Sequence, residues 1–178
     1  MLYKSANFND LTDLDEKSGQ IKGYASIFGN VDSDNDIIMK GAYSKTIKEN
    51  GSRIRYIYQH QMAKPIGLVN ELYEDNRGLA FGATIPPTTL GKDVMQLIIA
   101  GVIDQNSVGI VPKQKTYNSK GFRELHQVQL FEISAVTMAA NDQALITDSK
   151  GNVDPLLAQK RYDTLIKIIR KSNISDEL

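Results

Sequence analysis

The sequence predicts one α+β or mainly-β domain, a partly closed antiparallel barrel with three helices interspersed among its strands. Three observations carry this. Many short segments alternate apolar and polar residues, the period of a strand with one buried face. Gly-, Asn- and Asp-rich turns separate them at short intervals. Only a few segments have helical spacing, and they lie between strands rather than after each one.

Taken in order, the first twenty residues are mixed and suggest an edge strand and a turn. Lys22 to Phe28 alternates and reads as a strand. GNVDSDND is a turn-rich loop, and IIMK a short apolar strand. AYSKTIKEN has helical spacing with Asn50-Gly51 as its stop. IRYIYQHQ, Ile54 to Gln61, is a strand running into a histidine, followed by a loop at Lys64-Pro65. Ile66 to Tyr73 and Leu79 to Thr84 form a hairpin through EDNRG. Thr89 is a candidate N-cap for LGKDVMQLIIAG, which ends at Gly101. Asn106 to Val111 is a strand, Asn118 to Gly121 a turn, and Glu124 to Met138 supplies further strand. Residues 1–150 make the barrel domain. Gly151 to Val153 is a hinge, and 151–178 a C-terminal amphipathic helix opened by Asp154-Pro155. Its apolar stripe includes Leu157, Leu165 and Ile169, which suits packing on the barrel or a homodimer interface.

The apolar fraction is 41% and the charged fraction 24%, ordinary for a soluble globular protein. Lys+Arg and Asp+Glu are both 21, so net charge gives no reason to expect a nucleic-acid partner. With no cysteine, disulfides, zinc-thiolate sites and Cys nucleophiles are excluded. The polar N-terminus is unlike a signal peptide, and no apolar run approaches transmembrane length, so no membrane partner is expected. The Gly spacing of a phosphate-binding loop is absent, which leaves nucleotide and flavin cofactors without support. Asp32, Asp34 and Asp36 have the alternate spacing of a calcium loop. Ile37 and Tyr43 stand where that loop needs glycine and a bidentate glutamate, so a solvated turn is expected and no metal.

Candidate chemistry rests on a few side chains. Ser107, in QNSVGI, shares a strand face with Gly109, whose missing side chain leaves room for a substrate backbone. A serine hydroxyl needs a base to become a nucleophile; otherwise it is a strand serine bonded to its own backbone. His60 is the natural base, expected at the rim of the buried face of Ile54, Tyr56 and Tyr58; the alternative is a rim histidine covering the core. Glu132 interrupts an apolar strand, where it either orients an imidazole or faces water from an edge strand. Without a bulge, His126, Val128, Leu130, Glu132 and Ser134 share one face, so His126 competes with Glu132 as orienting group.

The blocks GYASIFGNVDSDNDIIMKGAYSKTI, YQHQMAKPIGLV, GLAFGATI, IAGVIDQNSVGI and LFEISAVTMAAN occur in one order. In that order they resemble the prohead maturation serine proteases of tailed bacteriophages, relatives of the herpesvirus assemblins. The resemblance runs from about Lys22 to Ile146. It implies His60 of HQMAKPIG as base, Ser107 of GVIDQNSVG as nucleophile and Glu132 of LFEISAV as third member of a triad. Assemblins use a second histidine there, which keeps His126 open. Ala139-Ala140-Asn141 departs mildly from the family's Pro-Ala-Asn. The resemblance further implies an assemblin-like antiparallel β-barrel flanked by helices and a serine endopeptidase acting inside the immature head, in the host cytoplasm. Its implied substrates are scaffolding or capsid protein and the protease itself. A non-catalytic assembly module that binds capsid or scaffold is the alternative.

Overall fold

The structure, a computed structural model, describes residues 2–7 and 19–138. The strands in chain order are β1 (Leu2–Asn7), β2 (Gln20–Ile27), β3 (Asp36–Ile38), β4 (Arg55–Tyr58), β5 (Gln61–Glu74), β6 (Gly78–Thr84), β7 (Gln105–Tyr117) and β8 (Arg123–Val136). The helices are α1 (Ser44–Asn50) and α2 (Thr89–Ile99). The strands form one sheet ordered β1-β7-β8-β4-β5-β6-β2, with β3 added against β8. It curls into a half-barrel whose hollow is filled by Ile21, Tyr56, Leu79, Phe81, Ile110 and Ile133. The expected hinge at 151–153 and the C-terminal helix lie outside the described residues. Among the described residues no helix is long and apolar enough to cross a membrane.

The sheet is mixed rather than wholly antiparallel. Both β3 and β4 pair with β8 in parallel. Parallel neighbours need a crossover between them. Here long stretches of chain separate them: β5, β6, α2 and β7 lie between β4 and β8, and α1 and β4 as well between β3 and β8. The AYSKTIKEN helix forms as expected, but Gly51 stays right-handed and carries the chain into a single 3₁₀ turn, Gly51–Arg53. The cap of α2 is Thr88, one residue before the expected Thr89: its Oγ1 accepts the Gly91 N–H at 3.0 Å. No loop interrupts the chain at Lys64-Pro65, because β5 starts at Gln61 and absorbs the irregular pairing as a bulge.

Register breaks along β7 and β8 decide what faces where. Ile110 pairs with Leu130 but Gly109 pairs with Glu132, so Phe131 is an extra residue in β8. A bulge of one residue reverses the in-out alternation beyond it. Leu130 therefore faces the core, as do Ile133 and Ala135 past the bulge. Glu132 and Ser134 are turned to the opposite face, where Ser107 and Gly109 are their cross-strand partners. A second break pairs Lys115 with Leu125 and Gln114 with Gln127, leaving His126 unpaired. The shared face expected for His126, Leu130 and Glu132 is thus broken by bulges that alternation alone does not reveal.

The acidic loop is not a fully solvated turn. The Asp32 carboxylate accepts the N–H groups of Asp34 and Asp36 at 2.9 Å each. Asp36 is buried and accepts two bonds from the Arg123 guanidinium, at 2.5 and 2.6 Å. That pair ties the loop to the start of β8, and Asp36 raises the Arg123 pKa further. Among the described residues no cluster of three or more acidic or histidine side chains could hold a metal.

Candidate active site

The site begins with a tight turn. β4 ends at Tyr58, which pairs with Gln61, so Gln59 and His60 alone connect the strands. Their φ angles are +52° and +56°. A two-residue hairpin turn of type I′ needs positive φ at both central positions and normally recruits Asn-Gly. Using Gln-His instead costs on the order of 1–3 kcal/mol per residue, strain that persists only where surrounding bonds enforce it. Two such bonds are visible. The Gln59 N–H donates to the Ala135 carbonyl at 2.9 Å. The His60 N–H donates to Ser134 Oγ at 3.1 Å. His60 is therefore not the last residue of the Ile54-Tyr56-Tyr58 face. The turn carries its ring over β8 to the side away from the core.

There the ring meets Glu132. His60 Nδ1 lies 2.8 Å from Glu132 Oε1. The side chains are 19% and 1% exposed, so solvent screens the pair little. A carboxylate accepts only, so the proton of this bond sits on Nδ1. Nε2 is then the nitrogen with base character. The second carboxylate oxygen is also engaged: Ser134 Oγ donates to Oε2 at 2.7 Å. β8 lies between β7 and β4 rather than at an edge, and Glu132 is shut off from water by the His60 ring, Ser134 and the Gly109 backbone around it.

Gly109 makes room for this carboxylate. A Cβ there would lie 2.5 Å from Glu132 Oε1. The space expected to admit a substrate backbone is filled by Glu132 instead. Ser107 pairs directly with Ser134 across the β7–β8 ladder. Side chains in such pairs start about 4.5–5.5 Å apart at Cβ. The Ser107 hydroxyl is buried and makes no hydrogen bond, to His60 or to any other described residue. A buried hydroxyl left unpaired costs about 1–3 kcal/mol, so most proteins avoid one. Ser107, His60 and Glu132 are thus on one face, linked through Ser134.

A strut on the core side holds β4 and β7 in place. Tyr56 donates its hydroxyl to Asn106 Oδ1 at 2.9 Å, and Asn106 Nδ2 donates to the Tyr24 carbonyl at 3.2 Å. Burial pushes the Tyr56 pKa well up, keeping the phenol a donor. Asn106 precedes Ser107, so the strut fixes the height of β7 against the strand that delivers His60.

His126 lies elsewhere. At its bulge it faces outward, 2.7 Å from Thr116 Oγ1 and 3.8 Å from Glu124. The structure does not bring it to His60. Ser134 was not read as a site residue from sequence, although the signal was present: in E-x-S on a strand, both polar side chains share a face inside an apolar run.

The family model for the caudovirus prohead serine proteases matches residues 7–158. The chain belongs to that family. A prohead protease of Enterobacteria phage HK97 is 31% identical over 142 residues, an alignment covering 76% of this chain. The chain spans 62% of the length of that curated relative. The bacteriophage T4 capsid assembly protease shares the fold, with a TM-score of 0.61 at 12% identity. That match covers 76% of this chain and 95% of the T4 chain. The blocks quoted from the sequence of this prohead protease family member fall within the matched region.

Proposed function

We propose that this protein is a serine endopeptidase of phage head maturation, with Ser107 as nucleophile, His60 as general base and Glu132 as the residue that orients His60. The observation that carries this is the buried 2.8 Å bond from His60 Nδ1 to Glu132, which leaves Nε2 as the base on the face that bears Ser107. Ser107 Oγ attacks the scissile carbonyl and passes its proton to His60 Nε2. Glu132 stabilises the imidazolium without taking its proton. Collapse of the tetrahedral intermediate transfers that proton to the leaving amine and forms an acyl-enzyme. Water, deprotonated by His60, then hydrolyses the ester. The Ser107 hydroxyl has to gain the His60 bond as substrate binds, since catalytic hydrogen bonds commonly tighten only in the complex.

The substrates in this reading are capsid or scaffolding protein and the chain itself, cleaved inside the immature head. Names of relatives support this: one is a prohead protease, another a capsid assembly protease. Kinship with the herpesvirus assemblins belongs to the same reading. The test is cleavage of the phage's own capsid and scaffolding proteins, co-produced with the protein or its Ser107→Ala variant. Fragments should appear only with the parent protein. Fragments made equally by Ser107→Ala would remove Ser107 as nucleophile, and no fragments with the parent would leave a binding module.

A further inference from the structure

We propose that Ser134 is a positioning residue of this site, a clamp that fixes the base and its acidic partner with one hydroxyl. The inference rests on the reading of His60 and Glu132 as a catalytic pair. Ser134 is fully buried in β8. Its hydroxyl donates to Glu132 Oε2 at 2.7 Å and accepts the His60 N–H at 3.1 Å. Both halves of the pair are thereby referred to one atom. The donated bond removes one of the ways the carboxylate could rotate about its last torsion. With Oε2 held, Oε1 is left aimed at His60 Nδ1, 2.8 Å away.

The accepted bond acts on the backbone. His60 sits at φ +56°, a conformation a non-glycine residue keeps only when its surroundings insist. The Gln59 N–H is held by the Ala135 carbonyl, a main-chain bond that any residue at that position would provide. The His60 N–H is held by a side chain, so this half of the restraint is specific to the residue at 134. Alanine there would delete the bond from Ser134 to the His60 N–H and keep the one at Gln59. Misplacing a reacting group by about 1 Å can cost on the order of 100-fold in rate, so a lost positioning bond registers in activity.

Threonine keeps the hydroxyl and alanine deletes it, so the pair isolates the bond. The readout is the labelling of the full chain by a fluorophosphonate, resolved into the maximal inactivation rate and the half-saturating probe concentration. Ser134→Ala should lower the maximal rate about 10- to 100-fold with the half-saturating concentration unchanged. Ser134→Thr should recover to within about threefold of the parent. A maximal rate within about twofold of the parent in Ser134→Ala would overturn the clamp while leaving the triad intact. Failure of the parent to label at Ser107 would overturn the triad reading beneath it. Amide hydrogen exchange on the unmodified protein needs no variant to fold. The His60 N–H should be protected although it lies in a turn, and exchange at the rate of an open turn would count against the clamp.

Discussion

Strand β8 supplies the glutamate of two histidine–glutamate pairs, and they behave as different objects. At one end His126 approaches Glu124 at 3.8 Å, with side chains 39% and 26% exposed. At the other His60 meets Glu132 at 2.8 Å, the carboxylate sealed from water. The residue types are the same. What differs is burial and the number of other bonds that hold each group. Exposed pairs at long range contribute about 0–1 kcal/mol and set no geometry. A buried pair whose carboxylate has both oxygens engaged, and whose histidine is held by its own backbone, has a single orientation. Only the second arrangement can present one ring nitrogen to a hydroxyl repeatedly.

That contrast is open to breakage. The largest effect expected is at the histidines. His60→Ala and Ser107→Ala should each lower fluorophosphonate labelling by about 10⁴-fold or more, and the double variant should fall no further. His126→Ala should stay within about twofold in the same assay. A strong loss in His126→Ala would revive the assemblin-like alternative.

Next come the carboxylates. Glu132→Gln keeps the shape but loses the charge that favours the imidazolium, and should cost about 10³- to 10⁴-fold in turnover. Glu124→Gln should change neither turnover nor melting temperature by a measurable amount. Gly109→Ala sharpens the comparison from the opposite strand. Its Cβ would push on Glu132 Oε1, so turnover should fall about 100-fold while the sheet persists. Circular dichroism and labelling of the same sample separate the two outcomes.

The smallest expected effect on chemistry belongs to the structural ion pair at the far end of β8. Asp36→Asn weakens the bidentate contact to Arg123, whose side chain is 24% exposed. Denaturant melts should show a loss of about 1–3 kcal/mol, less than for a fully buried pair. Labelling per folded molecule should be unchanged, because Arg123 lies far along β8 from Glu132.

Much of this was legible in the sequence. Strand alternation located β2, β6 and the site-bearing part of β7, and helical spacing located α1 and α2. Family likeness pointed to His60, Ser107 and Glu132; the structure bonds His60 to Glu132 and pairs Ser107 with Ser134 across the ladder, with no bond from Ser107 to His60. The means of bringing His60 to Glu132 was not legible. Alternation assigns faces only while register holds, and the extra residue at Phe131 reverses it. QHQ reads as strand, because nothing in Gln59 or His60 advertises positive φ; the turn is enforced by bonds from Ala135 and Ser134, far along the chain. Gly109 was read as space for substrate because a glycine's partner is invisible until the opposite strand is known. Asp36 was read as solvated because Arg123, its partner, enters from a strand much later in the sequence.

The most direct test of the central claim is a crystal structure of the protein inactivated by diisopropyl fluorophosphate. The account expects the phosphoryl group on Ser107 Oγ, with His60 Nε2 within hydrogen-bond distance of the adduct and Nδ1 still bonded to Glu132. An adduct on another residue, or one on Ser107 with the His60 ring turned away from it, would contradict the account.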